Sequence, residues 1–290
     1  VEKAPTMTAP SAGTGFRRID GHVHLWQLSR GDYDWMTPDF TTLYRDFSLS
    51  DLGPLLDAGG MDQAVLVQAA ATVDECRYLL DIAATSDRIA GVVGWLDMES
   101  PDFSAQLEEF SDNPLFKGVR PMIQDIADDN WMLADSQRPA FEHLEETGTC
   151  FDCLVRPQHL DNLIVLLERH PSLRAIIDHA AKPDIAGGWS TVWAEKMAFI
   201  AAETSALCKF SGLITEAGDG WTRDMLRPYA DHIVSVFGGD RLVFGSDWPV
   251  LTLGADYLGW IDAADALLTD LGEEERHAIF GGNAARFYRL

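Results

Sequence analysis

Positive charge is what this sequence has least of. Its 290 residues carry 22 lysines and arginines against 46 aspartates and glutamates, a formal net charge of −24 at pH 7. A surface this acidic repels phosphate backbones and anionic lipid headgroups, which argues against nucleic acid and membranes as partners. No apolar run approaches the ~18 residues that a bilayer span needs. Cysteine is also scarce. Cys76, Cys150, Cys153 and Cys208 are too few and too unevenly spaced for a disulfide framework at this length. The run Cys150-Phe151-Asp152-Cys153 matches a redox C-x-x-C in letters only. It reads as a strand, and residues three apart on a strand face opposite ways. A reducing, cytoplasmic setting is the expectation. Absent too are G-x-G-x-x-G, a Walker loop, a G-x-S-x-G elbow and H-E-x-x-H. Nucleotide-binding, serine-hydrolase and zincin chemistries therefore lose their usual support. Residues 1–15 lack the apolar stretch of a signal peptide. Rich in Ala, Pro, Thr and Gly, they are expected to form a disordered leader.

What the chain has in quantity is alternation. Short β-branched or aliphatic runs recur at Arg18–Leu25, Gln63–Ala69, Ile89–Asp97, Phe116–Ile123, Phe151–Val155, Leu173–His179, Leu207–Leu213 and Leu242–Trp248. Between them apolar residues fall at helical spacing. Examples are Tyr78, Leu79 and Ile82; Leu160, Leu163, Leu166 and Leu167; and Leu226, Tyr229, Ile233 and Val236. Gly59–Gly60, Gly148 and Gly238–Gly239 stand where such helices should stop. A unit of about 32 residues, repeated eight times, is the arithmetic of a (β/α)8 TIM barrel. An open doubly wound sheet has fewer strands and ranks second. No linker-like stretch divides residues 16–290, so one domain is expected.

In such a barrel the chemistry gathers where strands end. The first ends Ile19-Asp20-Gly21-His22-Val23-His24-Leu25-Trp26. His22 and His24 are two apart, which turns both rings to the same side, at the barrel mouth. Two imidazoles on one face either bind a metal ion or clamp a developing oxyanion. The sixth run ends Ile176-Ile177-Asp178-His179, followed by Lys182-Pro183. His179 is the third candidate, and Asp178 is expected to face the other way. The eighth ends Val243-Phe244-Gly245-Ser246-Asp247-Trp248-Pro249. Packing explains Asp247 poorly, and as a helix cap it stands too early, because the next helical pattern begins near Ala255. His143, His159, His170, His232 and His277 lie in polar helical stretches and read as surface residues.

Five motifs in register now identify a resemblance. They are H-x-H-x-W at His22 to Trp26, V-R-P-x-x-L at Val155 to Leu160, D-H-x-x-K-P at Asp178 to Pro183, K-x-S-G-L at Lys209 to Leu213, and G-S-D-W-P at Gly245 to Pro249. Together they resemble the amidohydrolase superfamily, and more closely its sugar-lactonase branch. The similarity runs from Arg17 to Leu290 and includes the tail Phe280-Gly281-Gly282-Asn283-Ala284-Ala285-Arg286-Phe287-Tyr288. It implies a distorted TIM barrel that hydrolyses a lactone to a hydroxy acid. It also implies one divalent ion, zinc first, or none, held by His22, His24 and Asp247. Two departures matter. Binuclear members carry a bridging lysine at the end of the fourth strand, whereas Lys117 stands at that strand's start; members often have a histidine after the fourth-strand arginine, whereas here Pro121 follows Arg120. A two-metal site is therefore not expected.

The resemblance implies the roles as well. Asp247 would act as general base and return its proton to the ring oxygen. His22, His24 and His179 would hold the carbonyl oxygen, directly or through the ion. Substrate contacts are expected from Trp26, Gln68, Asp97, Arg120, Gln124, Lys182 and Trp248. Arginines near strand ends are too few to pair the two carboxylates of a dicarboxylate lactone. Aromatic and amide side chains suit a neutral polyol instead. The expected partner is thus a neutral aldonic acid lactone, such as L-fucono- or L-rhamnono-lactone, with self-association left open. The alternative is a zinc-dependent decarboxylase of an aromatic or unsaturated acid, which would need a stably bound metal and a basic pocket. A non-catalytic sugar-acid-binding barrel is the third reading.

Overall fold

In the computed structural model, which describes residues 16–290, every apolar run pairs with the next as a parallel strand. The strands are β1 (Ile19–Val23), β2 (Gln63–Val67), β3 (Ile89–Gly94), β4 (Phe116–Val119), β5 (Cys150–Cys153), β6 (Arg174–Ile177), β7 (Leu207–Phe210) and β8 (Leu242–Phe244). They are hydrogen-bonded in the order in which the chain supplies them. The expected leader at residues 1–15 lies outside the described residues.

Helices occupy the connections: α1 (Leu49–Gly59), α2 (Val73–Ala83), α3 (Phe103–Ser111), α4 (Arg138–Thr147), α5 (Leu160–Arg169) and α6 (Thr191–Glu203). They continue with α7 (Leu213–Ala217), α8 (Arg223–Phe237), α9 (Tyr257–Leu267), α10 (Glu273–His277) and α11 (Asn283–Tyr288). Among the described residues no helix is long and apolar enough to cross a membrane. The ring closes between β8 and β1. Val23 bridges Trp248 in parallel, the Asp247 N–H donates to the His22 carbonyl at 2.8 Å, and the His24 N–H donates to the Trp248 carbonyl at 2.7 Å. The result is the (β/α)8 barrel that the repeat implies.

Burial follows the sequence pattern. Leu160, Leu163, Leu166 and Leu167 of α5, and Leu226, Tyr229 and Ile233 of α8, are all buried. Two apolar clusters form. The larger lies between the helices and the outer wall of the sheet. The smaller fills the barrel floor with Ile19, Val65, Val67, Val93, Ile176 and Val243, against Ala284, Phe287 and Tyr288 of α11. Asn283 pins this closing helix by donating to the Gly239 and Leu242 carbonyls at 2.7 and 2.6 Å. Cys150 falls in the inner cluster and Cys153 in the outer one, as residues three apart on a strand should. All four cysteines are free and buried.

The outer wall next to the closure is aromatic. Phe244 stacks on Phe280 and Trp260, with ring centroids 4.7 and 6.2 Å apart. Phe244→Ala should cost about 3–5 kcal/mol of unfolding free energy, measured by urea denaturation. A loss below ~1 kcal/mol would mean that this stack contributes little to closure.

Candidate active site

The site begins with an irregularity in β1. Between Asp20 and Val23 the strand advances three residues while β2 advances two, from Ala64 to Leu66. This bulge breaks the alternation. Asp20 turns outward, where it accepts from the Tyr257 hydroxyl of α9 at 2.9 Å and the Ser246 N–H at 2.8 Å. His22 turns into the barrel. Gly21 lies in the bulge because a Cβ there would meet Cγ1 of Val243 at 2.5 Å.

Four side chains converge at the mouth. Nε2 of His22 lies 3.1 Å from Nε2 of His24, which lies 3.2 Å from Oδ1 of Asp247. That oxygen is also 3.7 Å from Nε2 of His22 and 3.8 Å from Nε2 of His179. His24 is oriented by its Nδ1, 2.7 Å from the Val67 carbonyl, and His179 by its Nδ1, 2.8 Å from Oγ of Ser211. Close backbone approach makes room for them. A Cβ on Gly245 would meet Cβ of His22 at 2.7 Å, and one on Gly212 would meet Cβ of His179 at 2.6 Å. The glycines of the strand-seven and strand-eight motifs are thus explained. Asp247 caps no helix, since the cap of α9 is Asp256.

Asp178 departs from expectation. It faces inward, with Oδ1 3.7 Å from Nδ1 of His22. Ile176 faces the inner cluster and Ile177 the outer one, so Asp178 continues the alternation inward, and it is His179 that breaks it, at the start of a left-handed stretch from His179 to Lys182 with φ between 50° and 59°. Beneath the histidines lies a charged layer. Lys209 Nζ contacts Asp152 Oδ2, Asp178 Oδ1 at 2.8 Å and His22 Nδ1 at 2.9 Å. Arg120 Nη1 lies 3.2 Å from Asp178 Oδ2 and 3.3 Å from Nε2 of His22. The Tyr288 hydroxyl donates to Asp152 at 2.8 Å. Sequence reasoning missed Lys209 and Asp152. The signal was there: each is the lone charged residue of an otherwise apolar strand.

Burial sets the protonation states. It pushes His22 well below the ordinary histidine value, helped by the cationic Lys209. It brings His179 down to about 4 against the pull of Asp247 and Asp178. Burial would raise the Asp178 carboxyl, but Lys209 and Arg120 more than offset it and hold it at about 2. Asp247 is likewise pushed up by burial and brought below its ordinary value by basic neighbours, His179 first.

A cavity of about 280 Å³ opens above this cluster. His24, His179, Asp247, Arg120, Gln124 and Lys182 line its polar side. Trp35, Phe40, Met122, Leu154 and Val250 line its apolar side and were not foreseen. Other expected contacts sit elsewhere. Trp26 is fully buried and donates to the Arg45 carbonyl at 2.8 Å, while Trp248 packs on Phe47 with centroids 5.3 Å apart. Gln68 is buried and supports Arg120, donating to its carbonyl at 2.8 Å. Asp97 accepts from the Glu99 N–H at 3.0 Å, outside the cavity lining. Two of the expected surface histidines are in fact buried. His159 meets Asp129 at 3.0 Å and His170 meets Glu145 at 3.1 Å, so both act as structural joints.

The ligand-capable atoms of His22, His24 and Asp247 lie within 4.8 Å of one another, a spacing that suits a divalent ion. His24 also fits in its hydrogen bonding, since an Nδ1–H given to the Val67 carbonyl leaves Nε2 bare. His22 does not fit. A ligating ring donates its second N–H to an acceptor, and Nδ1 of His22 instead meets the Lys209 ammonium. A second grouping of His22, Asp178 and His179 shares that mismatch.

Comparison with known proteins agrees with this architecture. A family profile described as amidohydrolase matches residues 19–290. The chain is 42% identical to an L-fucono-1,5-lactonase of Burkholderia ambifaria, over 94% of this chain and 96% of that protein. It is 34% identical to an L-fucono-1,5-lactonase of Burkholderia multivorans, over 95% and 97%. A crystal structure of an amidohydrolase from Burkholderia multivorans with bound zinc superimposes with a TM-score of 0.88 at 33% identity, covering 94% of this chain and 99% of that one. With its barrel, its mouth of histidines and these relatives, the chain belongs to the amidohydrolase family.

Proposed function

We propose that this protein opens a neutral deoxy-sugar lactone, L-fucono-1,5-lactone first among candidates, to the hydroxy acid. The observation that carries the reading is one carboxylate, Asp247, ringed by the Nε2 atoms of His22, His24 and His179 at the wall of a cavity. The names of the two Burkholderia relatives support it. So does the lining. Arg120 is the one arginine among the lining residues and is already engaged by Asp178, which leaves no pair of guanidinium groups for a dicarboxylate. The apolar wall of Trp35, Phe40 and Met122 suits the methyl group and C–H face of a deoxy sugar, while Gln124 and Lys182 suit its hydroxyls.

The chemistry follows from the geometry. Asp247 Oδ1, at the cavity wall, accepts a hydrogen of the attacking water. Asp247 takes a proton as the water oxygen bonds to the lactone carbonyl carbon. The oxyanion that develops is met by the N–H of His179, which lines the cavity, with His22 fully buried behind it. Collapse breaks the bond to the ring oxygen, and Asp247 returns its proton to the departing alkoxide. An alkoxide leaves more readily than an amine, so hydrogen-bond donors are enough to meet the charge that develops. Four free, buried cysteines accord with the reducing cytoplasm, where we place the enzyme.

Proton release across a panel tests the substrate. Aldonolactones of the L-fucono, L-rhamnono and L-galactono type should turn over faster than dicarboxylate lactones. Silence on all of them, with carbon dioxide released from aryl acids, would replace the lactonase reading with the decarboxylase one. Asp247→Asn should lower kcat by ~10²–10⁴. An effect confined to KM would move Asp247 from chemistry to binding.

The pH dependence has a definite sign. Asp247 must be ionised and His179 neutral; the first has its pKa lowered and the second sits at about 4. Both conditions hold throughout neutral pH and fail together only on acidification. kcat/KM should therefore be flat from about pH 6 to 8 and fall below about pH 5. An acid limb centred near the ordinary histidine value would contradict these assignments.

A further inference from the structure

The most constrained group that the hydrolytic cycle leaves unused is the Lys209 ammonium. Its side chain is wholly buried, and its Nζ has three acceptors within reach: Asp152 Oδ2, Asp178 Oδ1 and His22 Nδ1. An ammonium has three N–H donors and no acceptor, so the three partners saturate it. A neutral amine would turn a lone pair towards one of them. We propose that Lys209 is a positioning residue that fixes the single proton of His22 on Nε2, making His22 a hydrogen-bond donor at the mouth and not a metal ligand.

Every polar neighbour of the ring enters this assignment. The Val67 carbonyl can only accept, so His24 carries its proton on Nδ1 and offers a bare Nε2. That bare nitrogen lies 3.2 Å from Asp247 Oδ1, so two acceptors stand side by side, and Nε2 of His22, 3.1 and 3.7 Å from them, is where the one N–H that both can share must sit. Arg120 Nη1, 3.3 Å from the same atom, is the one donor left facing a donor, and Asp178 Oδ2 at 3.2 Å takes its hydrogen. The opposite tautomer does worse. It points an N–H at the Lys209 ammonium across 2.9 Å and sets two bare nitrogens together at 3.1 Å. Donors therefore run in one direction, from Lys209 through His22 and His24 to Val67.

Asp178 is the counterweight. Its Oδ1 lies 3.7 Å from Nδ1 of His22 and would accept a proton there if Lys209 were absent. A carboxylate behind a histidine is the usual support for a metal-ligating ring. One lysine thus selects between a donor site and a ligand site. The catalytic consequence rests on the lactonase reading; the position of the proton does not.

NMR of ring-labelled histidines in the wild-type protein reads that proton directly. His22, identified by the signal lost in His22→Gln, should show a protonated Nε2 and a bare Nδ1. A wild-type spectrum with the proton on Nδ1 would overturn the proposal, whatever the variants do. In Lys209→Met the proton should move to Nδ1, kcat should fall by ~10²-fold as His24 and Asp247 lose the hydrogen that holds them, and zinc should bind at least ~10-fold more tightly in equilibrium dialysis. A folded Lys209→Met protein that keeps the proton on Nε2, or binds zinc no better, would equally sink it. If that variant does not fold, the wild-type spectrum decides alone. A wild-type spectrum as expected, with no lactone turned over, would support the lysine's role while refuting the lactonase reading.

Discussion

A single ammonium group without water around it organises the interior of this barrel. Removing the Lys209 charge from solvent costs several kcal/mol unless counter-charges are placed around it, and Asp152 and Asp178 provide them. Each carboxylate is then held by something further. Tyr288 reaches up from α11 to Asp152, and Arg120 binds Asp178 while Gln68 braces Arg120 from β2. Six of the eight strands, or the residues just past their ends, contribute to this one network. The apolar floor below it and the histidines above it are both placed by the same set of contacts.

The same desolvation prepares the mouth. Histidines in water would be partly cationic near neutral pH, whereas burial keeps His22 and His179 uncharged. Neutral rings donate one hydrogen and accept another, which suits a reaction that needs donors for an oxyanion and acceptors for water. Overall charge works in the same direction. A chain at −24 does not repel a neutral lactone, yet it favours departure of the anionic acid that forms.

Much of this was legible in the sequence. Eight apolar runs at even spacing specify the barrel, because strand and helix periods differ and the turns fall between them. His22, His24, His179 and Asp247 could be picked out because each ends a strand where packing gives it no employment. That Asp178 and His179 both face inward was illegible, since the first continues the strand alternation while the second is turned by a left-handed backbone that begins at His179. Trp26 and Trp248 looked like a stacking platform and proved to be core. The aromatic side chains at the cavity wall are instead Trp35 and Phe40, within a long connection whose path no periodicity describes. Lys209 was quoted as part of a motif without a role, because its meaning depends on partners 57 and 187 residues away in the chain.

Ring closure has a consequence for the order of events during folding. His24 and Asp247 stand 223 residues apart and become neighbours only when β8 settles against β1. Tyr288, which anchors Asp152, arrives later still along the chain. No partial barrel made during synthesis from the first strand onward holds a complete site. Contacts of such long sequence separation form slowly, so the reactive mouth is the last thing the chain assembles. Recovery of catalysis in a refolding experiment is in this sense a clock for the final joining of the wall.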